Sequence, residues 1–297
     1  MSFGFIAPLL VAAMVALVAG LLQSRLRPQV AAQSLAVACV SVAAATIWAL
    51  LTLVLGALAE NSFIDRWSAW CPELYRADDH VSAWIGLGAG LILGAVLYRA
   101  GCAARRERRT RQRLPDCEHG VLILESEQPA AYAVPGRRGG IVVSRGMIEA
   151  LEPSERAVLW AHERSHLNHK HHRYLVATEM AAAIVPPLRG LADQVHFATE
   201  RWADEDAAME VGGDRQLVAR AIARAAIASV DHGRTAMAMA DTGVGDRVRA
   251  MIDIDRRFLA PAIGALVGLV VMTSTLAGSG LQLHHLLAFV AHVCGGS

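Results

Sequence analysis

The sequence predicts an α-helical membrane protein, with four transmembrane helices around a cytosolic α+β domain. Three observations carry that class. Stretches 4–23, 34–59 and 81–98 hold no charged residue, and a fourth, 258–278, matches them. A run of arginines (Arg99, Arg105, Arg106, Arg108, Arg109, Arg111 and Arg113) follows the third stretch directly. From that run to the fourth stretch lie roughly 145 residues of mixed polarity, an ordinary domain size.

A helix of about 20 apolar residues crosses the hydrocarbon layer, so each stretch suffices, 81–98 most narrowly. The first is a weak match to a cleaved signal peptide, because Met1–Phe5 carries no positive charge. Arginine clusters beside a span stay in the cytoplasm. The loop 60–80 has five acids against Arg66 and Arg76, as an outer loop would. Arg25 and Arg27 fall in the first inner loop, and Arg256 and Arg257 precede the fourth span. The expected layout is a membrane domain over 1–98, a cytosolic domain over 99–257, and a fourth span with a short outer tail over 258–297. Both termini then lie outside a multi-pass cell-membrane protein. The hydrophobic share of 54% and mean hydropathy of +0.37 agree with the bilayer as first partner. The arginine run is read as a topology signal, so direct nucleic-acid binding is not expected. Gly86, Gly90 and Gly94, and later Gly264 and Gly268, recur at the spacing that lets helices approach closely in lipid. That approach serves packing within the chain or a homo-oligomer. Five cysteines form no CxxC pair, which excludes a zinc ribbon or thioredoxin-like site. Cys71 and Cys294 share the oxidising side and are the candidate disulfide.

Within the cytosolic segment, 119–126, 130–136 and 139–146 read as strands, the last two joined as a hairpin through the turn PGRRGG. The stretch EPSERAVLWAHERSHLNHKHHRYL reads as one long helix with Pro153 near its first turn and Pro186 as its latest end. Its apolar tail, 174–188, is short for a span and suits the membrane interface. Helices over 198–211 and 215–230 follow.

The chemistry concentrates in 159–172, which holds five of twelve histidines. His162, Glu163 and His166 form H-E-x-x-H, and spacing of four puts both imidazoles on one helical face. Catalytic zinc takes three protein ligands and leaves one position open for water. Glu163 is turned one position away, where it reaches that water and not the metal. Two residues compete as third ligand. His172 lies ten after His162, but a ligand there needs a sharp turn, and His169 stands where a turning glycine is required. Glu200 opens E-x-x-x-D with Asp204 on a separate helix, so one acid binds metal while the other holds a ligand imidazole. Glu200 is the better choice. His169, His171 and His172 are then expected on a solvated or interface-facing helix end.

The stretches AYAVPGRRGGIVVSRGMIEAL, VLWAHERSHLNHKHH and TERWADEDAA resemble the BlaR/MecR-type integral membrane zinc metallopeptidases, relatives of the HtpX and Ste24 peptidases. Three spans before the domain and one after are similar too. The resemblance implies a zincin-like (gluzincin) fold and one Zn²⁺ on His162, His166 and Glu200, with Glu163 as catalytic base. It also implies a cytosolic transcriptional repressor as protein substrate. The family's antibiotic-sensing members carry a large extracellular sensor after the last span. Here 19 residues follow position 278, so a β-lactam receptor role is not expected. Weaker candidates are His232 and Arg247 for oxyanion or substrate contact, and Gly140, Ile141, Val142 and Val143 as the strand to which an extended substrate adds. Two other classes compete: a proteolytically silent membrane signalling or scaffold protein with a structural metal, and a metal-handling protein using HNHKHH. Neither needs a carboxylate between the ligands.

Overall fold

A computed structural model describes residues 26–59, 82–117, 120–136, 139–231 and 243–253. The first and fourth expected spans, Cys71, Cys294 and His232 lie outside the described residues.

Two long apolar helices come first: α1 (Pro28–Ala59) and α2 (Ala83–Gln112). Both are long and apolar enough to cross a membrane. α1 starts at Pro28, a helix-compatible first residue, and not near 34. α2 continues past the apolar stretch through the arginine run, so position 98/99 falls inside one helix. Trp84, Leu87, Leu91, Ile92, Leu97 and Tyr98 are exposed on α2, the pattern of a helix facing lipid. Gly86 is buried against α1, where a Cβ would overlap Ala57, and Gly94 meets nothing. The small-residue spacing therefore serves α1–α2 packing within the chain at its first position.

A three-stranded sheet follows, β1 (Val121–Leu124), β2 (Ala131–Val134) and β3 (Gly140–Ser144), in the order β1-β3-β2. β2 and β3 form the expected antiparallel hairpin, Ala131 opposite Val143 and Val134 opposite Gly140. β1 pairs with β3 in parallel. β3 is therefore central and wholly buried, and Gly140 is packed so closely that a Cβ would meet the Gly120 carbonyl. This corrects the expectation that Gly140–Val143 is the strand open to substrate: its hydrogen bonds are already taken on both sides. The edge beside the histidine helix belongs to β2.

The short α3 (Arg145–Ala150) is capped by Ser144, whose hydroxyl accepts from the Met147 N–H. α4 (Pro153–Asn168) carries H-E-x-x-H; Pro153 and a reciprocal Glu152–Glu155 capping box start it. The expected long helix is broken. Lys170, the chain's lone lysine, sits in the left-handed region at φ 54°, and α5 (His171–Ile184) begins after it. A 3₁₀ turn (Pro186–Leu188) leads into α6 (Arg189–Glu210), then α7 (Arg215–Asp231) and α8 (Val244–Ile252).

Two cores result. In one, Val158 and Ala161 of α4 meet Ala207 and Ala208 of α6, Val218 of α7 and Met251 of α8. In the other, Ala38, Cys39, Val42 and Ala43 of α1 pack on Ala181 and Ala182 of α5 and on Leu188 and Ala192. The α5–α6 hairpin thus runs along the apolar part of α1.

Candidate metal centre

α4 and α6 form the site. Their small residues let the backbones approach, Ala161 on one and Ala207 on the other being almost fully buried. The facing turns then bring together three side chains distant in sequence. His162 Nε2 and His166 Nε2 are 3.1 Å apart. Glu200 reaches each with one carboxylate oxygen, at 3.5 Å to His162 and 3.5 Å to His166. All three donor atoms lie within 4.8 Å of one another. Zinc bonds of about 2.0–2.1 Å in a tetrahedron set neighbouring donors roughly 3.3 Å apart. The residues present fit that ion, and His162, His166 and Glu200 are its zinc-binding set.

The partners behind these groups fix their orientation. Asp204, fully buried, lies 3.0 Å from His162 Nδ1 and so turns Nε2 toward the cluster. Arg247 of α8 holds Asp204 by two bonds, 2.8 Å from Nε and 2.7 Å from Nη2. Its third nitrogen is 2.9 Å from Glu200. Burial opposes charge on His162, yet the hydrogen bonds to Asp204 and Glu200 outweigh it and raise the imidazole to about 10. Burial likewise opposes ionisation of Glu200, but His162 and the Arg247 charge hold its carboxyl well below the ordinary value. On His166 burial and the neighbouring His162 act together, lowering it to about 4. Burial pushes Glu163 up to about 7.

Glu163 connects the site to the sheet. Its carboxyl is hydrogen-bonded to the Ala133 backbone. The Ser144 N–H bonds to the Ala130 carbonyl, so by the antiparallel alternation Tyr132 and Val134 face β3. Ala131 and Ala133 therefore turn their backbone groups outward, toward α4.

Not all of the histidine run behaves as expected. His172 is half-buried near Arg111 and Glu107 of α2 and takes no part in the cluster. His169 stands 3.0 Å from Asp206. His171 is not solvated: the turn at Lys170 folds it back into the protein, where it is fully buried with Nδ1 2.9 Å from His166 Nδ1. A helix breaker would have flagged that turn, and lysine is none, so nothing local announced it. Arg247's hold on Asp204 spans 43 residues and was equally unannounced.

The chain matches no curated protein and no solved structure. The model of Peptidase family M48 matches residues 106–255, which contain the sheet, both ligand helices and Arg247. The matched span contains all three clustered donors, and the chain belongs to peptidase family M48, the zinc metalloendopeptidases of HtpX and Ste24 type.

Proposed function

We propose that this peptidase is a multi-pass membrane protein of the BlaR/MecR type that cleaves a protein substrate at the cytosolic face, within a signalling pathway that ends on a transcriptional repressor. The observation that carries the peptidase part of this reading is Glu163, a buried carboxyl between the two histidine ligands that also touches the open edge of the sheet; the BlaR/MecR type and the repressor rest on the sequence resemblance. A structural metal in a silent scaffold needs no acid in that place.

An extended substrate adds to the outward backbone groups of Ala131 and Ala133, which sets its scissile bond beside Glu163. Zinc, when bound, acidifies water and polarises the scissile carbonyl. Glu163 takes the proton of the attacking water and later delivers it to the departing amine. Asp204 keeps His162 in the tautomer that offers Nε2, and Arg247 pairs with both the buried Asp204 and the partly buried Glu200 carboxylates. With its guanidinium engaged by two acids, Arg247 serves as a clamp in this reading and not as an oxyanion donor.

Full-length protein in detergent should cleave an unfolded protein substrate, lose that activity on chelation and regain it on adding zinc. Undiminished cleavage after elemental analysis shows the metal removed would reject the peptidase reading. The layout of four spans, with 1–98 and 258–297 as membrane segments and 99–257 cytosolic, rests on the charge pattern and the lipid-type face of α2. A cysteine replacing Arg113 should resist membrane-impermeant labelling in intact cells, and one at Ser297 should react. Labelling at 113 from outside would overturn the topology and the cytosolic substrate together.

A further inference from the structure

We propose that His171 is a positioning residue for the zinc ligand His166, fixing the tautomer and plane of its imidazole as a neutral acceptor. The inference rests on the assignment of His162, His166 and Glu200 as the zinc-binding set.

Proton counting carries it. His166 presents Nε2 to His162 and Glu200, so metal held there leaves the ring's proton on Nδ1. That Nδ1 lies 2.9 Å from His171 Nδ1. A neutral imidazole has one donor and one acceptor nitrogen. His171 Nδ1 must then accept, and its own proton sits on Nε2. Nε2 is buried and finds no hydrogen-bond partner among the described residues. A residue present only to fill space would not leave a buried N–H unpaired, since a phenyl ring occupies the same volume without that cost.

Geometry supports the same role. Among the described residues Lys170 is the only non-glycine with positive φ, and its turn is what returns His171 to the site. The His171 ring meets His166 edge-on, centroids 4.8 Å apart at 89°, and leans on Trp202 at 4.7 Å. Trp202 in turn packs with Leu26, Ala31 and Ala32, so the start of α1 backs the assembly. The two ligand histidines are therefore held differently: His162 by the Asp204 carboxylate, His166 by a neutral ring. His162 is the stronger donor of the pair, and replacing the neutral acceptor should register at the metal itself.

The test uses the full-length protein in detergent and reads zinc affinity by competition with a chromogenic chelator, together with the visible spectrum of the Co²⁺-loaded protein. His171→Phe fills the pocket without an acceptor; His171→Asn places an oxygen near the Nδ1 position. The Phe variant should bind zinc about 10–100-fold more weakly and shift the cobalt bands. The Asn variant should recover most of the affinity. Thermal melts of the metal-free proteins separate this from packing. If Phe does not fold, Asn against Ala gives the same comparison, with Asn retaining zinc and Ala losing it. Unchanged affinity and spectrum in the Phe or Ala variant would overturn the proposal, as would an Asn variant no better than either. A His162→Ala protein that binds zinc as tightly as wild type would show that the ligand assignment itself fails, a distinct result.

Discussion

Glu163→Gln is expected to abolish proteolysis while leaving zinc in place. The substitution keeps the size of a side chain that is almost fully buried, so the α4–sheet packing stands. It removes no member of the His162, His166 and Glu200 set, so metal content by elemental analysis should match wild type. What disappears is the group that accepts a proton from water and passes it on. General acid–base groups contribute typically about 10²–10⁴-fold, and here one carboxyl serves both steps, so the upper end is expected. Burial lifts the Glu163 carboxyl of the metal-free site to about 7. Terminal-peptide mass spectrometry on cells carrying each form gives the substrate: fragments present only with wild type are its products. Full cleavage activity in the Gln protein would remove Glu163 from the reaction. A variant without zinc would show instead that Glu163 supports the metal.

How far the sequence reached follows from the range of each interaction. H-E-x-x-H was legible because helical periodicity alone puts His162 and His166 on one face, and E-x-x-x-D was legible on the same ground. The hairpin and the start of α4 were also local, set by a glycine turn and by Pro153. Strand order was not local. β3 lies between its neighbours because β1 crosses over to pair in parallel, a decision made by packing above and below the sheet. One sign of it stood in the sequence: the run of Ile141, Val142 and Val143 has no polar alternation, as a strand buried on both faces requires. The break at Lys170 had no such sign. His171 closes back on His166 of α4, and the contact of His169 with Asp206 forms only once α4 and α6 have met. The α8 clamp is of the same kind, since Arg247 finds its acids only after α8 docks on α6 and α7.

The choice between Glu200 and His172 sets the second expected result. A sharp turn after His166 was the requirement for His172 to bind metal, and the chain does turn, at Lys170. Yet the turn brings His171 back to the ligand helix and leaves His172 facing α2. Glu200 arrives from α6 with an oxygen near each imidazole, and Arg247, itself held by Asp204, braces it from behind. Glu200→Ala should therefore lose zinc and all proteolysis, and it also leaves part of the Arg247 charge buried without its acid. His172→Ala should keep most of both, because its side chain meets neither ligand nor brace. Asp204→Ala should fall between, about 10–100-fold weaker in metal affinity or activity, because His162 loses the acceptor that orients it. Zinc stoichiometry and chelator competition on the three purified proteins decide the order. Zinc stripped by His172→Ala and retained by Glu200→Ala would place the third ligand on α5, where the geometry gives it no path to the cluster, and would undo the site as drawn.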